Sequence, residues 1–176
     1  MKKTIKSTLV AIGTAALSVA ALAADRIELN GAGGSFPAPL YQKWCYAYTQ
    51  SEQGAKVNYQ SVGSSAGISQ IKSGTIDFAG TDAPLSAEDC ATTGLVQFHM
   101  VSGAVVPAVN LPGVANGALV LDGETLADIY LGKITRWNDA RLAKLNPTLT
   151  LPDLKITVVH RGDGSGTTHI FTTYLS

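Results

Sequence analysis

The sequence has few cysteines, no excess of charge of either sign, and no apolar run long enough to cross a membrane. Its 13 basic and 13 acidic residues cancel, and no basic cluster occurs, which argues against a nucleic-acid partner. The 2 cysteines and 3 histidines show no spacing typical of a metal site. We therefore expect a globular protein that needs neither a metal nor a cofactor.

The N-terminal segment is typical of an export signal. Three lysines within the first six residues form a positively charged start, and residues 9–21 are apolar or small. That run is about half to two-thirds of the ~20 residues that a spanning helix needs. The tripeptide at 21–23, Ala-Leu-Ala, fits a small-x-small cleavage site, so residues 1–23 are predicted to be a cleaved signal peptide. A periplasmic location follows from this prediction.

Export would carry the two cysteines, Cys45 and Cys90, into an oxidising compartment. They could form a disulfide, whose loop closure would contribute roughly 4 kcal/mol in the chain-entropy model. They could equally be two small apolar side chains without a covalent partner. The sequence leaves both alternatives open.

Strand-like and helix-like patterns alternate along the rest of the chain. Alternating or β-branched runs predict strands over 26–30, 57–61, 76–81, 96–101, 104–109 and 156–159. Helical spacing predicts a helix from Pro37 to near Gly54, in which Leu40, Trp44, Ala47 and Tyr48 share a face. Further helices are predicted around 68–71, from Ser86, over 126–130, over 137–146, and after Gly166. Such alternation indicates an α/β fold with a mostly parallel sheet.

Four glycine-rich or polar turns follow predicted strands. They contain Ser35, Ser64, Asp82 and Arg161, and the last reads Arg-Gly-Asp-Gly-Ser-Gly-Thr over 161–167. Because the carboxyl ends of parallel strands meet at one edge of a sheet, we expect the four turns to converge there. Glycine N–H groups, hydroxyls, helix N-termini and a guanidinium together suit a tetrahedral oxyanion.

The turn at 161–167 matches neither common nucleotide-binding pattern. It contains no lysine, so the Walker pattern is absent. Its glycines, Gly162, Gly164 and Gly166, are two residues apart throughout, which is not Gly-x-Gly-x-x-Gly. A free or terminal oxyanion is therefore the expected ligand.

Five segments together resemble the periplasmic phosphate-binding protein of the phosphate-specific ABC importer. They are 31–39 (GAGGSFPAP), 63–65 (GSS), 81–86 (TDAPLS), 129–134 (IYLGKI) and 161–167 (RGDGSGT). The resemblance implies a two-lobed periplasmic binding protein of type II, built on mostly parallel sheets, that closes on orthophosphate. It also implies a monomer without enzymatic activity, which delivers phosphate to the membrane permease and ATPase subunits of an ABC importer.

The resemblance further implies which residues hold the ligand. The phosphate-binding residues carried over by motif are Ser35, Phe36 (through its N–H), Ser64, Asp82, Arg161, Ser165, Gly166 and Thr167. Asp82 is expected to accept a hydrogen bond from the ligand. Asp163 is expected to pair with Arg161 and to orient it.

The resemblance also suggests how the chain divides. It places the first lobe in 24–102 and the second in 103–176, and both would be incomplete because members of the family are about twice as long. The last predicted helix reaches Leu175 without a glycine or proline to end it. We therefore expect a truncated chain.

Two enzymatic interpretations stay open beside phosphate binding. Residues 63–67 satisfy Gly-x-Ser-x-Gly, so Ser65 could be the nucleophile of a serine hydrolase. The other members of its triad would come from Asp122, Asp139, His160 and His169. A phosphatase could also use Arg161 and the hydroxyl cage, although no metal ligands or activated cysteine accompany them.

Overall fold

The computed structural model describes residues 27–51 and 55–176. The predicted signal peptide, residues 1–23, lies outside the described residues, as does Gly54. Within the described ranges, none of the helices combines the length and the apolar character that a membrane crossing requires.

Among the described residues, the sheet consists of three parallel strands. They are β1 (Glu28–Gly33), β2 (Lys56–Ser61) and β3 (Phe78–Gly80), in the order β2-β1-β3. The ladders with both neighbours continue to the last residue of β1, so all three carboxyl ends lie at one edge. The predicted parallel α/β arrangement is confirmed for this part of the chain.

Six helices occur among the residues that the structure describes. They are α1 (Ala38–Thr49), α2 (Ser64–Lys72), α3 (Ala87–Thr93), α4 (Gly123–Tyr130), α5 (Ala140–Leu145) and α6 (Gly166–Leu175). Helix α1 packs against β2, and α2 packs against β1 and β3. These two helices are the crossovers that parallel neighbours require. The predicted start of α3 is also confirmed, because the Ser86 hydroxyl accepts a 3.0 Å bond from the Asp89 N–H.

Helix α1 begins where the sequence predicted, but it presents a different face to the sheet. Leu40, Trp44 and Tyr48 are 40%, 44% and 55% exposed. The helix instead buries Ala38 and sets the Tyr41 ring edge-on against a tyrosine of β2, with 5.1 Å between ring centroids. The apolar spacing therefore identified the helix correctly, while its largest apolar side chains did not mark the buried face.

Three predicted strands are wrong. Residues 96–101, 104–109 and 156–159 form neither strand nor helix, and the nearest pairing is an isolated antiparallel bridge between Arg136 and Lys155. β-Propensity reflects the fit of a side chain to a pleated, half-buried surface, and it needs a neighbouring strand to take effect. In the described part of the chain no strand lies beside these runs, and Val96 and Phe98 are 86% and 73% exposed.

A hydrophobic core lies around α4 and α5. Its buried members are Ile129, Ile134, Leu142 and Ile156. The carboxylate of Asp128 connects the two helices, since it accepts from Arg141 Nη1 at 2.5 Å and pairs with Lys133 Nζ at 2.9 Å. These two cations hold the pKa of Asp128 below its usual value.

Leu142→Ala should lower the free energy of unfolding by about 2–5 kcal/mol, because Leu142 is fully buried and its truncation leaves a cavity. The measurement is urea denaturation, in which the dependence of the free energy of unfolding on urea concentration is also compared between variants. Lys144→Ala, on the exposed side of the same helix, is the control. Equal losses for the two variants would contradict the assignment of Leu142 to the core.

The two cysteines are unpaired thiols in the structure. Cys45 lies on α1 and Cys90 on α3, and both are half-buried. Burial raises the pKa of the Cys45 thiol, and the Cys90 sulfur accepts a 3.6 Å contact from Gln97 Nε2. Of the two alternatives that the sequence left open, the structure thus has the one without a disulfide.

Candidate functional site

Backbone hydrogen bonds hold the first three predicted turns together at the carboxyl edge of the sheet. The Gly34 N–H donates to the Gly80 carbonyl at 2.7 Å. The N–H groups of Val62 and Gly63 both donate to the Gly33 carbonyl, at 3.0 and 2.9 Å. The ends of β1, β2 and β3 therefore form one connected platform.

The fourth turn, 161–167, reaches this platform by packing, without a sheet strand leading into it. A Cβ placed on Gly166 would lie 2.5 Å from Ser64 Oγ and 2.9 Å from Asp82 Cβ, so only glycine allows this approach. Gly164 likewise packs directly against the side chain of Ser65. The turn thus lies on the N-terminus of α2.

The carboxylate of Asp82 is the centre of the polar contacts. Thr167 Oγ1 donates to Asp82 Oδ2 at 2.7 Å. The Asp82 N–H makes a long, 3.4 Å bond to Ser64 Oγ, and Ser64 itself is only 2% exposed. The other carboxylate oxygen, Oδ1, lies beside the backbone of Gly34. Because a hydroxyl has one proton, Thr167 orients Oδ2 and leaves Oδ1 as the free acceptor.

Arg161 and Asp163 form a two-point ion pair. Arg161 Nε donates to Asp163 Oδ1 at 2.5 Å, and Nη2 donates to Oδ2. This pairing lowers the pKa of Asp163 and fixes the plane of the guanidinium. The pair lies beside Gly63, because Nη2 would be 3.8 Å from a Cβ at that position. Asp163 Oδ2 would be equally close, at 3.8 Å, so both charges of the ion pair stand at the start of α2.

Three helices begin at this edge, and two of them have no side-chain cap. Pro37 before α1 and Gly63 before α2 provide no capping hydrogen bond. The first-turn N–H groups of a helix have no partner within it, and the helix dipole adds partial positive charge there. Ser165 differs, because its hydroxyl caps α6 by accepting from the Thr168 N–H at 3.2 Å. Together these termini favour an anion.

The structure brings only part of the predicted ligand set into direct contact. The residues in mutual contact are Ser64, Asp82, Gly166 and Thr167. Ser35 lies in the exposed turn after β1, and the half-exposed ring of Phe36 packs so closely against Gly103 that a Cβ there would collide with it. The role of each residue as a phosphate ligand stays a prediction.

Sequence reasoning did not identify Tyr59, a buried side chain directly behind the site. Tyr59 is 7% exposed, and its hydroxyl donates to the Gly34 carbonyl at 2.9 Å. Burial, with smaller contributions from Tyr41 and Asp82, raises the pKa of Tyr59 to about 12, so the hydroxyl keeps its proton. The only sequence signal was a tyrosine near the end of a predicted strand.

The hydrolase triad is not assembled around Ser65 in the described ranges. Asp122 caps α4 by accepting from Thr125, and Asp139 caps α5. His160 Nδ1 lies 2.9 Å from the Arg161 carbonyl oxygen. No hydrogen bond among residues 27–51 and 55–176 connects a serine, a histidine and an aspartate in series.

A family model described as a PBP superfamily domain matches residues 18–176. Among the curated relatives, the phosphate-binding protein PstS of Pasteurella multocida is 52% identical over 159 residues, which are 90% of this chain and 46% of that protein. PstS of Haemophilus influenzae is 53% identical over 85% of this chain and 44% of its own length. The chain thus spans less than half the length of these relatives. The resemblance inferred from the glycine-rich turns is confirmed.

A solved structure supports the same fold. It is a crystal structure, with bound phosphate, of a protein from Clostridium perfringens assigned as a phosphate ABC transporter substrate-binding protein. The two structures align with a TM-score of 0.61 at 22% identity, over 84% of this chain and 56% of the other. The expected periplasmic-binding-protein fold is therefore confirmed.

Proposed function

Since this chain belongs to the PBP superfamily, we propose that it binds orthophosphate at the carboxyl edge of its sheet and supplies it to an ABC importer. The observation that carries the proposal is the arrangement around Asp82. The carboxylate of Asp82, held by Thr167, stands among helix N-termini and hydroxyls, and the ion pair of Arg161 and Asp163 lies at the start of α2. The names of the relatives, phosphate-binding proteins, agree with this chemistry.

In this proposal most of the ligand contacts are donors. The donors are Ser35, the N–H of Phe36, Ser64, Arg161, Ser165, Gly166 and Thr167, the last through its N–H because its hydroxyl proton is on Asp82 Oδ2. Asp82 is the acceptor, through the Oδ1 oxygen that Thr167 leaves free. Asp163 holds the guanidinium of Arg161 in a fixed plane, which suits two parallel bonds to a tetrahedral anion.

We further propose that the site lies between two lobes, 24–102 and 103–176. The packing of Gly166 on Ser64 and the bond from Thr167 to Asp82 support this, since both join residues assigned to different lobes. In this proposal phosphate enters when the two lobes separate, and the lobes then close on it.

The proposal treats the protein as a carrier and not as an enzyme. It would work as a monomer in the periplasm, after removal of residues 1–23, and would pass phosphate to the permease and ATPase subunits of the importer. The N-terminal sequence, which is typical of an export signal, and the relatives' names as phosphate-binding proteins support this assignment.

Calorimetric titration of the protein with phosphate tests the proposal. Arg161→Ala should weaken phosphate binding by about 10- to 100-fold, because hydrogen bonds from a charged group contribute roughly 1.5–3 kcal/mol. Arg136→Ala is a matched control, since Arg136 makes a similar exposed ion pair with Asp153. Unchanged affinity in Arg161→Ala would remove this residue from the site, and no binding by the unaltered protein would refute the function.

A further inference from the structure

The turn between β1 and α1 is fixed by hydrogen bonds on one side and exposed on the other. Gly34 is buried, and its N–H is held by the Gly80 carbonyl at 2.7 Å. The next two residues, Ser35 and Phe36, are exposed. The orientation of the peptide between Gly34 and Ser35 therefore decides how the turn presents its polar groups.

Tyr59 holds this peptide from behind. Its hydroxyl donates to the Gly34 carbonyl at 2.9 Å, and no other hydrogen bond to that oxygen occurs among the described residues. In a planar trans peptide the N–H points opposite to the carbonyl. A carbonyl directed at Tyr59 therefore directs the Ser35 N–H away from the sheet interior.

The hydroxyl of Tyr59 is itself held rigidly. Its ring lies between Tyr41, edge-on at 5.1 Å, and Phe78, stacked at 6.1 Å. The hydroxyl also comes so close to Gly80 that a side chain at that position would collide with it. Its position is thus determined by β3 and α1, and it transmits that position to the turn.

Resting on the proposed function, we propose that Tyr59 is a positioning residue of the phosphate site. It does not touch the anion. Its bond to the Gly34 carbonyl sets the plane of the peptide between Gly34 and Ser35, and so the direction in which Ser35 and Phe36 meet the ligand. Preorganised donors bind more tightly because their orientation costs nothing at the moment of binding.

Tyr59→Phe removes only the hydroxyl and is the direct test. It should weaken phosphate binding about 3- to 10-fold, the worth of one ordinary hydrogen bond. In the phosphate-free protein it should also speed hydrogen exchange at the Ser35 and Phe36 amides. Leu142→Ala, which lowers stability in the core around α4 and α5 and leaves the Tyr59 cluster intact, should keep phosphate affinity within about 2-fold under conditions where the variant is folded.

Equal loss of affinity in Tyr59→Phe and Leu142→Ala would show that lower stability alone explains the effect, and would overturn the inference. Wild-type affinity and unchanged exchange in Tyr59→Phe would overturn it as well. A protein that binds no phosphate before any substitution would refute the proposed function, which is a different result.

A measurement on the unaltered protein does not depend on how the variants fold. Saturating phosphate should shift the NMR signal of the Tyr59 ring carbon that bears the hydroxyl, because an anion on the turn polarises the peptide to which that hydroxyl is bonded. The Tyr48 signal, from an exposed ring on the outer side of α1, should not move. A Tyr59 signal as constant as that of Tyr48 would count against the positioning role.

Discussion

Gly166→Ala is expected to weaken phosphate binding by up to about 100-fold, although alanine is the better helix former at this position. The added Cβ would lie 2.5 Å from Ser64 Oγ, 2.9 Å from Asp82 Cβ and 3.0 Å from the Ala83 nitrogen. Forcing a methyl group into such a contact typically costs 1–3 kcal/mol, and each 1.4 kcal/mol is a factor of ten in affinity. The turn at 161–167 must therefore move off the N-terminus of α2.

Gly162→Ala provides the matched control for this prediction. A Cβ on Gly162 meets no atom within 4 Å, and its φ is not in the left-handed region. Calorimetry should give it an affinity within about 2-fold of the unaltered protein, as for most exposed substitutions. If Gly166→Ala bound phosphate as tightly as Gly162→Ala, the turn would not need its close contact with Ser64 and Asp82.

Asp82→Asn is expected to remove much of the selectivity for phosphate over sulfate. The two anions have the same shape, but near neutral pH phosphate keeps at least one proton and sulfate has none. The free Oδ1 of Asp82 can accept that proton in a charge-assisted bond. Facing sulfate, the same oxygen meets a like charge, which costs several kcal/mol. An amide can donate a hydrogen bond instead, so it tolerates both anions.

The measurement is competition of labelled phosphate by sulfate. Millimolar sulfate should displace phosphate from Asp82→Asn at least about 10-fold more effectively than from the unaltered protein, given the energy of a charge-assisted bond. Asp153→Asn, which removes one carboxylate from an exposed ion pair, controls for the change in net charge. Sulfate rejection that survives in Asp82→Asn would refute this account of selectivity.

The structure bears on some of the sequence-based predictions for the site and not on others. The ion pair between Arg161 and Asp163 is observed, and it is local, because the two residues are two positions apart. The contact between Thr167 and Asp82 spans 85 positions, and no sequence pattern predicts that two candidate ligands bond to each other. Their predicted roles toward phosphate await the titrations described above.

The fold shows the same limit of local reasoning. The three strands that pair side by side, β1, β2 and β3, were predicted close to their observed positions. The runs at 96–101 and 104–109 have equally strand-like composition, yet they form no ladder. A strand needs hydrogen-bonding partners from another segment, and composition contains no information on whether that segment lies alongside.

The sequence by itself determined the starts of α1, α3 and α6, the cap at Ser86 and the glycine-rich turns after β1 and β2. All of these depend on interactions within about four residues, which a sequence pattern records directly. Only the tertiary structure decided that the turn at 161–167 lies on α2 without a strand before it, and that Tyr59 supports Gly34. Such contacts join positions far apart in the chain, and their geometry follows from the path of the whole backbone.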